Sequence, residues 1–361
     1  MPTPSLNLQI PSYHDAHLLD ARVYLPASYN SPTTQHWHRK VAIIGHPYAP
    51  LGGSYDDHVV LKVVQTLLRA GWVVSTFNFR GAHGKGRTSW TGKLEVKDFV
   101  SVVVWCLAYV QSLPPPVVPV SASSPRLAVP PSPLRVFPEG KEVVVEKCEA
   151  EEEEEMEVLI GGYSYGSLIA SLTPPVPDVL ELLETPPASA PTFAKALLTA
   201  KESARRWLDT HSSTRTSYSG TFNRAAVHAA LQQEENRKLE CEQANHGVDK
   251  KWKVTARYLL VSPLLPPISS FMMGFAGMKA WGLGRGSVDE REKGIETASA
   301  RVLAVYGDGD TFTGIRKYRK WREKMECERW RGVEVGGAGH FWHEEGVMEI
   351  LVGEVEEWAR V

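Results

Sequence analysis

The pentapeptide Gly162-Tyr163-Ser164-Tyr165-Gly166 sets a serine between two glycines, and two later segments could complete a nucleophilic device around it. Gly337-Ala338-Gly339-His340 offers an imidazole, and Gly307-Asp308-Gly309-Asp310 offers two carboxylates. A serine hydroxyl is a weak nucleophile until a neighbouring base takes its proton. An imidazole held in one tautomer by a carboxylate is such a base, so the three segments together point to attack on an acyl carbonyl. No metal or organic cofactor is needed for that chemistry, and none is expected.

A GxSxG pattern by itself arises by chance in roughly one chain of this length in ten. Its setting here is more specific. It leaves the apolar run Val158-Leu159-Ile160-Gly161 and enters a helix-like stretch, as a sharp strand-to-helix turn requires. Side chains at 162 and 166 would collide across that turn, and glycine removes them. His340 follows the last strand-like segment, whereas His343, three residues on, falls at the expected start of the last helix. Asp310 is favoured over Asp308 because it sits further out on its loop; an aspartate merely capping the helix at Ile315 is the bland alternative. The order Ser164, Asp310, His340 also separates this arrangement from serine hydrolases with other triad orders.

An oxyanion needs two preorganised N–H donors. Tyr165 supplies one at the turn. The other is expected from His46-Pro47-Tyr48-Ala49-Pro50-Leu51-Gly52-Gly53, where the prolines have no N–H to give. Tyr48 is the expected donor, with Ala49 next, and His46 reads as a hydrogen-bonded structural residue. Gly81-Ala82-His83-Gly84-Lys85-Gly86 fits neither the dinucleotide fingerprint nor the P-loop.

These residues need a sheet to carry them. Strands are expected at 41–45, 72–79, 158–161, 258–262, 302–306 and 330–335, with an N-terminal hairpin involving 18–25. Helices are expected at 61–68, 96–107, 164–172, 193–208, 224–243, 315–324 and 347–358. Apolar strands alternating with helices imply an α/β fold whose mostly parallel sheet is flanked by helices. Residues Val96, Phe99, Val102, Val103, Cys106 and Leu107 should line one side of the second long helix. Residues 1–361 read as one domain with two insertions. The first, 113–155, is Pro-rich and then acidic, and reads as a solvated spacer. The second, 173–255, reads as a helical, lid-like excursion.

The pieces HPYAPLGG, FNFRG (with Arg80), GYSYG, YGDGD and GAGHF resemble the serine-hydrolase members of the α/β-hydrolase superfamily. They look closest to a small group with an HP-x-P-like loop, an NFRG strand end and a GFSFG-type elbow. The match covers about 38–112, 156–172 and 256–361. The resemblance implies an α/β-hydrolase fold, a triad of Ser164, Asp310 and His340, and a structural role for Arg80. Lids in such enzymes commonly follow the strand at 258–262, whereas 173–255 precedes it. The implied activity is cleavage of an ester, thioester or related acyl bond of a small molecule. Some relatives are non-enzymatic subunits, so the rival expectation is a catalytically silent scaffold whose insertions bind a protein partner.

Composition narrows the alternatives. Forty basic and 42 acidic residues leave a formal charge of −2, which argues against a nucleic-acid partner. The four cysteines, Cys106, Cys148, Cys241 and Cys327, form no CxxC or zinc-like spacing, and a reducing compartment is expected. No secretory signal is read at the N-terminus, and the apolar stretch 99–113 is too short to span a bilayer. A cytoplasmic protein is expected.

Overall fold

The structure is a computed structural model describing residues 1–30, 38–113, 154–212, 252–265, 300–325 and 328–361. Among them are strands β1 (Leu6–Pro11), β2 (Leu18–Tyr24), β3 (Arg39–Gly45), β4 (Val73–Phe77), β5 (Glu154–Tyr163), β6 (Trp252–Val261), β7 (Arg301–Gly309) and β8 (Trp330–Gly339). Helices α1 (His58–Arg69), α2 (Lys93–Ser112), α3 (Tyr165–Ser171), α4 (Val176–Glu184), α5 (Pro191–Ser212), α6 (Ile315–Met325) and α7 (Val347–Arg360) connect or cover them.

Successive side chains of a strand point to opposite faces, so a strand buried on both sides must be apolar throughout. Ala42 and Ile44 of β3 pack with α1 and α7 on one face, and Val41 and Ile43 pack with α2 and α3 on the other. The sheet order is β1-β2-β4-β3-β5-β6-β7-β8. The β1–β2 hairpin joins β4 antiparallel, and every pairing from β4 to β8 is parallel. This is the α/β-hydrolase fold that the sequence led us to expect.

Helix α2 departs from its expected one-sided pattern. Every residue from Asp98 to Val110 is buried. A helix that is apolar all round needs cover on its outer face as well, and α4 and α5 pack against α2 and supply it. Ala200 and Ala204 of α5 are both fully buried. Residues 173–212 of the expected excursion therefore cover α2, whereas 252–255, read from sequence as its end, begin β6; residues 213–251, with the helix expected at 224–243, lie outside the described residues, as does most of 113–155. Glu154 and Glu155, read from sequence as part of the acidic spacer, begin β5 instead, where Arg39 and Lys253 pair with them.

Arg80 ties three elements together. Its guanidinium donates to Asp98 of α2 at 2.6 Å from both Nε and Nη2, and to Asp15 of the hairpin turn at 2.9 Å from Nη1. Both partners and α2's N-terminal turn are thereby fixed beside the end of β4. Among the described residues no helix is long and apolar enough to cross a membrane.

Candidate active site

Three strands deliver three residues to the same end of the sheet. Ser164 stands one residue beyond β5, Asp310 one beyond β7 and His340 one beyond β8. Gly309 pairs with Gly339 after a register shift at Gly307, so Asp310 and His340 emerge side by side on neighbouring strands. Ligands of open α/β sheets bind outside these carboxyl ends.

Ser164 sits at the elbow with φ 56° and ψ −115°, a conformation unfavourable for any residue with a Cβ. Its N–H donates to Val261 O at 2.8 Å, which ties the strained residue to β6. The flanking glycines are sterically required. A Cβ at Gly162 would lie 2.4 Å from the Gly166 carbonyl carbon, and one at Gly166 would lie 2.2 Å from Gly45 O. The first collision is the expected one across the turn; the second is against the end of β3.

The side chains meet closely. Ser164 Oγ lies 2.8 Å from His340 Nε2, and His340 Nδ1 lies 2.8 Å from Asp310 Oδ2. A carboxylate only accepts, so Nδ1 carries the proton and Nε2 is left bare to receive the serine hydroxyl. Asp310 is held by four donors: the N–H groups of Phe312 and Thr313 on Oδ1, and Tyr318 Oη and the imidazole on Oδ2. Burial, with Asp310 adding to it, pushes the Tyr318 phenol well above its usual range, so it stays a donor. Asp308, the reserve candidate, instead accepts from the Gly337 N–H and does not reach His340.

The segment after His340 is fastened residue by residue. Tyr163 Oη donates to His340 O at 2.8 Å, His58 Nε2 donates to Phe341 O at 2.9 Å, and Trp342 Nε1 donates to Ser262 Oγ at 3.0 Å. Tyr163, Tyr318, His58 and Ser262 were not singled out from the sequence. Tyr163 lay inside the serine motif as an apparent spacer, and the other three carry no local pattern. His343 precedes α7 rather than starting it, and its ring stacks on that of His58 with centroids 4.7 Å apart.

A cavity of about 270 Å³ opens above Ser164 and His340. Pro47, Tyr48, Gly52 and Gly53 form one wall, Leu264, Phe312 and Phe341 another, and Asp57, His58 and His343 a polar side. Leu51 and Phe341 stand at its mouth and are exposed. None of the described residues of 173–212 lines it.

Of the two expected amide donors, Tyr48 lines this cavity and Tyr165 directly follows Ser164, which also lines it. Tyr165 is the first residue of α3, and its ring packs edge-on against Tyr48 at 5.0 Å. Among the described residues neither amide donates to any protein acceptor. His46 is fully buried, with Nδ1 2.6 Å from Pro47 O and Nε2 accepting the Phe79 N–H at 2.9 Å. Burial pushes its pKa down to about 4, the nearby His83 contributing and the Pro47 carbonyl opposing. Cys106 is buried and its thiol pKa pushed up to about 12; the other three cysteines lie outside the described residues. Among the described residues no cluster of metal-ligating side chains occurs.

Fold and cluster together define a class: an α/β-hydrolase fold with serine, histidine and aspartate converging at the carboxyl ends of its strands. No family model matches the chain, and no curated protein matches it by sequence. Solved structures similar to it include an α/β serine hydrolase homologue from Coxiella burnetii, 14% identical over 99% of this chain and 98% of that one, with a TM-score of 0.48. An α/β serine hydrolase described as lacking a lid, from Xanthomonas campestris, is 15% identical over 100% and 95%, with a TM-score of 0.49. Est1E from Butyrivibrio proteoclasticus is 12% identical over 98% and 97%, with a TM-score of 0.46.

Proposed function

We propose that this protein is a serine hydrolase that cleaves an ester, thioester or related acyl bond through an acyl-enzyme on Ser164. The observation that carries this reading is the unbroken chain Ser164–His340–Asp310 at 2.8 Å per link. His340 takes the hydroxyl proton as Ser164 Oγ attacks the carbonyl carbon of a small-molecule substrate. Asp310 keeps the imidazole in its productive tautomer and stabilises the imidazolium that forms. The N–H groups of Tyr165 and Tyr48 receive the oxyanion. His340 returns the proton to the leaving group, which departs, and then activates the water that releases the acyl group. The apolar wall of Leu264, Phe312 and Phe341 suits the hydrocarbon part of such a substrate.

A fluorophosphonate probe tests the reading directly. Wild type should be labelled, and Ser164→Ala should lose the label while keeping its fold by circular dichroism. A folded wild type that resists the probe would reject the hydrolase and leave the scaffold reading in its place.

A further inference from the structure

We propose that His46 is a positioning residue for the oxyanion hole: its imidazole grips the Pro47 carbonyl and thereby turns the Tyr48 N–H toward the cavity above Ser164. This rests on the hydrolase reading and adds a residue to it.

The imidazole has no freedom in how it bonds. A carbonyl can only accept, so the 2.6 Å contact to Pro47 O requires a proton on Nδ1; a backbone amide can only donate, so the 2.9 Å contact from Phe79 N–H requires a bare Nε2. One neutral tautomer satisfies both. The ring is wedged edge-to-face against Phe79, with centroids 5.0 Å apart, at the end of the strand that leads to Arg80.

The consequence passes through one peptide unit. Pro47 C=O and Tyr48 N–H belong to the same planar trans peptide and point in opposite directions. Drawing the carbonyl down onto a fully buried imidazole directs the amide outward, to the side where Pro47 and Tyr48 line the cavity. Gly53 closes the other side of the carbonyl: a Cβ there would lie 2.1 Å from Pro47 O and 2.9 Å from Tyr48 O. The peptide is therefore boxed between an imidazole and a glycine, and it cannot rotate without displacing one of them. Among the described residues the Tyr48 N–H has no protein acceptor of its own. A role confined to joining the ends of β3 and β4 would explain the Phe79 bond but not the grip on Pro47.

Two measurements test this on the full chain. ¹⁵N-histidine NMR at neutral pH should show His46, assigned by its loss in His46→Gln, as the neutral Nδ1–H tautomer. An Nε2–H tautomer or a charged ring would overturn the proposal whatever the enzyme does. Hydrolysis of p-nitrophenyl acetate by His46→Gln, and by Gly53→Ala, which keeps His46 but drives a methyl group into the same carbonyl, should each show kcat reduced about 10²-fold with KM within about twofold. If His46→Gln does not fold, Gly53→Ala carries the kinetic arm. An unchanged kcat in a folded variant overturns the proposal alone. A wild type that neither turns over nor takes the fluorophosphonate label fails the hydrolase reading, and the oxyanion role with it.

Discussion

Ser164 holds a backbone conformation that costs on the order of 1–3 kcal/mol, maintained because β5, α3 and the Val261 carbonyl leave it no alternative. The residue before it has a second task. Tyr163 Oη is buried and fastens the carbonyl of His340, so nucleophile and base are linked through neighbouring residues as well as through their reacting atoms. Burial raises the Tyr163 phenol far above its usual range and keeps it a donor. Tyr163→Phe removes that bond alone. We expect it to cost about 1 kcal/mol of stability, and to lower kcat roughly tenfold with KM unchanged, because small errors in base placement are expensive. Denaturant titration and steady-state kinetics measure the two effects separately; a variant as fast as wild type would show that Ser164 and Asp310 hold His340 unaided.

The elements explain what could be read from the sequence and what could not. The apolar runs of β3, β5 and β7 were legible because strands buried on both faces must be hydrophobic throughout, and the serine motif because its two glycines answer to steric collisions at definite places. Asp310 could be preferred over Asp308 but not assigned, since that depends on the register of β7 against β8. Gly307 shows why. It was read as a loop residue and belongs to β7, where a Cβ would lie 1.9 Å from Ala338 O. Likewise Gly337, Ala338 and Gly339, which lie past the strand expected at 330–335, belong to β8. Of these small residues, Gly307 serves close approach between strands, whereas Gly337 takes a left-handed φ of 75° with open space around it. Gly307→Ala should therefore separate the strand ends that carry Asp310 and His340, destabilising the protein by about 1–3 kcal/mol and slowing fluorophosphonate labelling of Ser164. Thermal melts and labelling rates check this, and labelling at the wild-type rate would mean the pair tolerates the strain. The cover of α2 by α4 and α5 was illegible for a different reason: periodicity identifies an apolar helix but not what lies on its second face.

At the scale of the whole molecule, pH reaches the site through a residue that does not touch substrate. His46 is neutral when folded, with a pKa near 4, against 6.5 for an unperturbed histidine. Between these values the unfolded chain binds the extra proton, so this contribution is complete above about pH 6.5 and is lost as the pH falls toward 4. The loss should be on the order of 3 kcal/mol by pH 4. Urea midpoints of wild type and His46→Gln should converge as the pH is lowered through that window; parallel curves would show that another group governs acid sensitivity. The order of residues along the chain has an effect of its own. The hydroxyl is made at position 164, while its carboxylate and imidazole come 146 and 176 residues later, on strands added at the far edge of the sheet. During synthesis the serine thus exists for a long interval without any group to draw off its proton. On the proposed hydrolase mechanism Ser164 gains its base only when the last strand has docked, and a half-made chain should be chemically quiet toward acyl compounds.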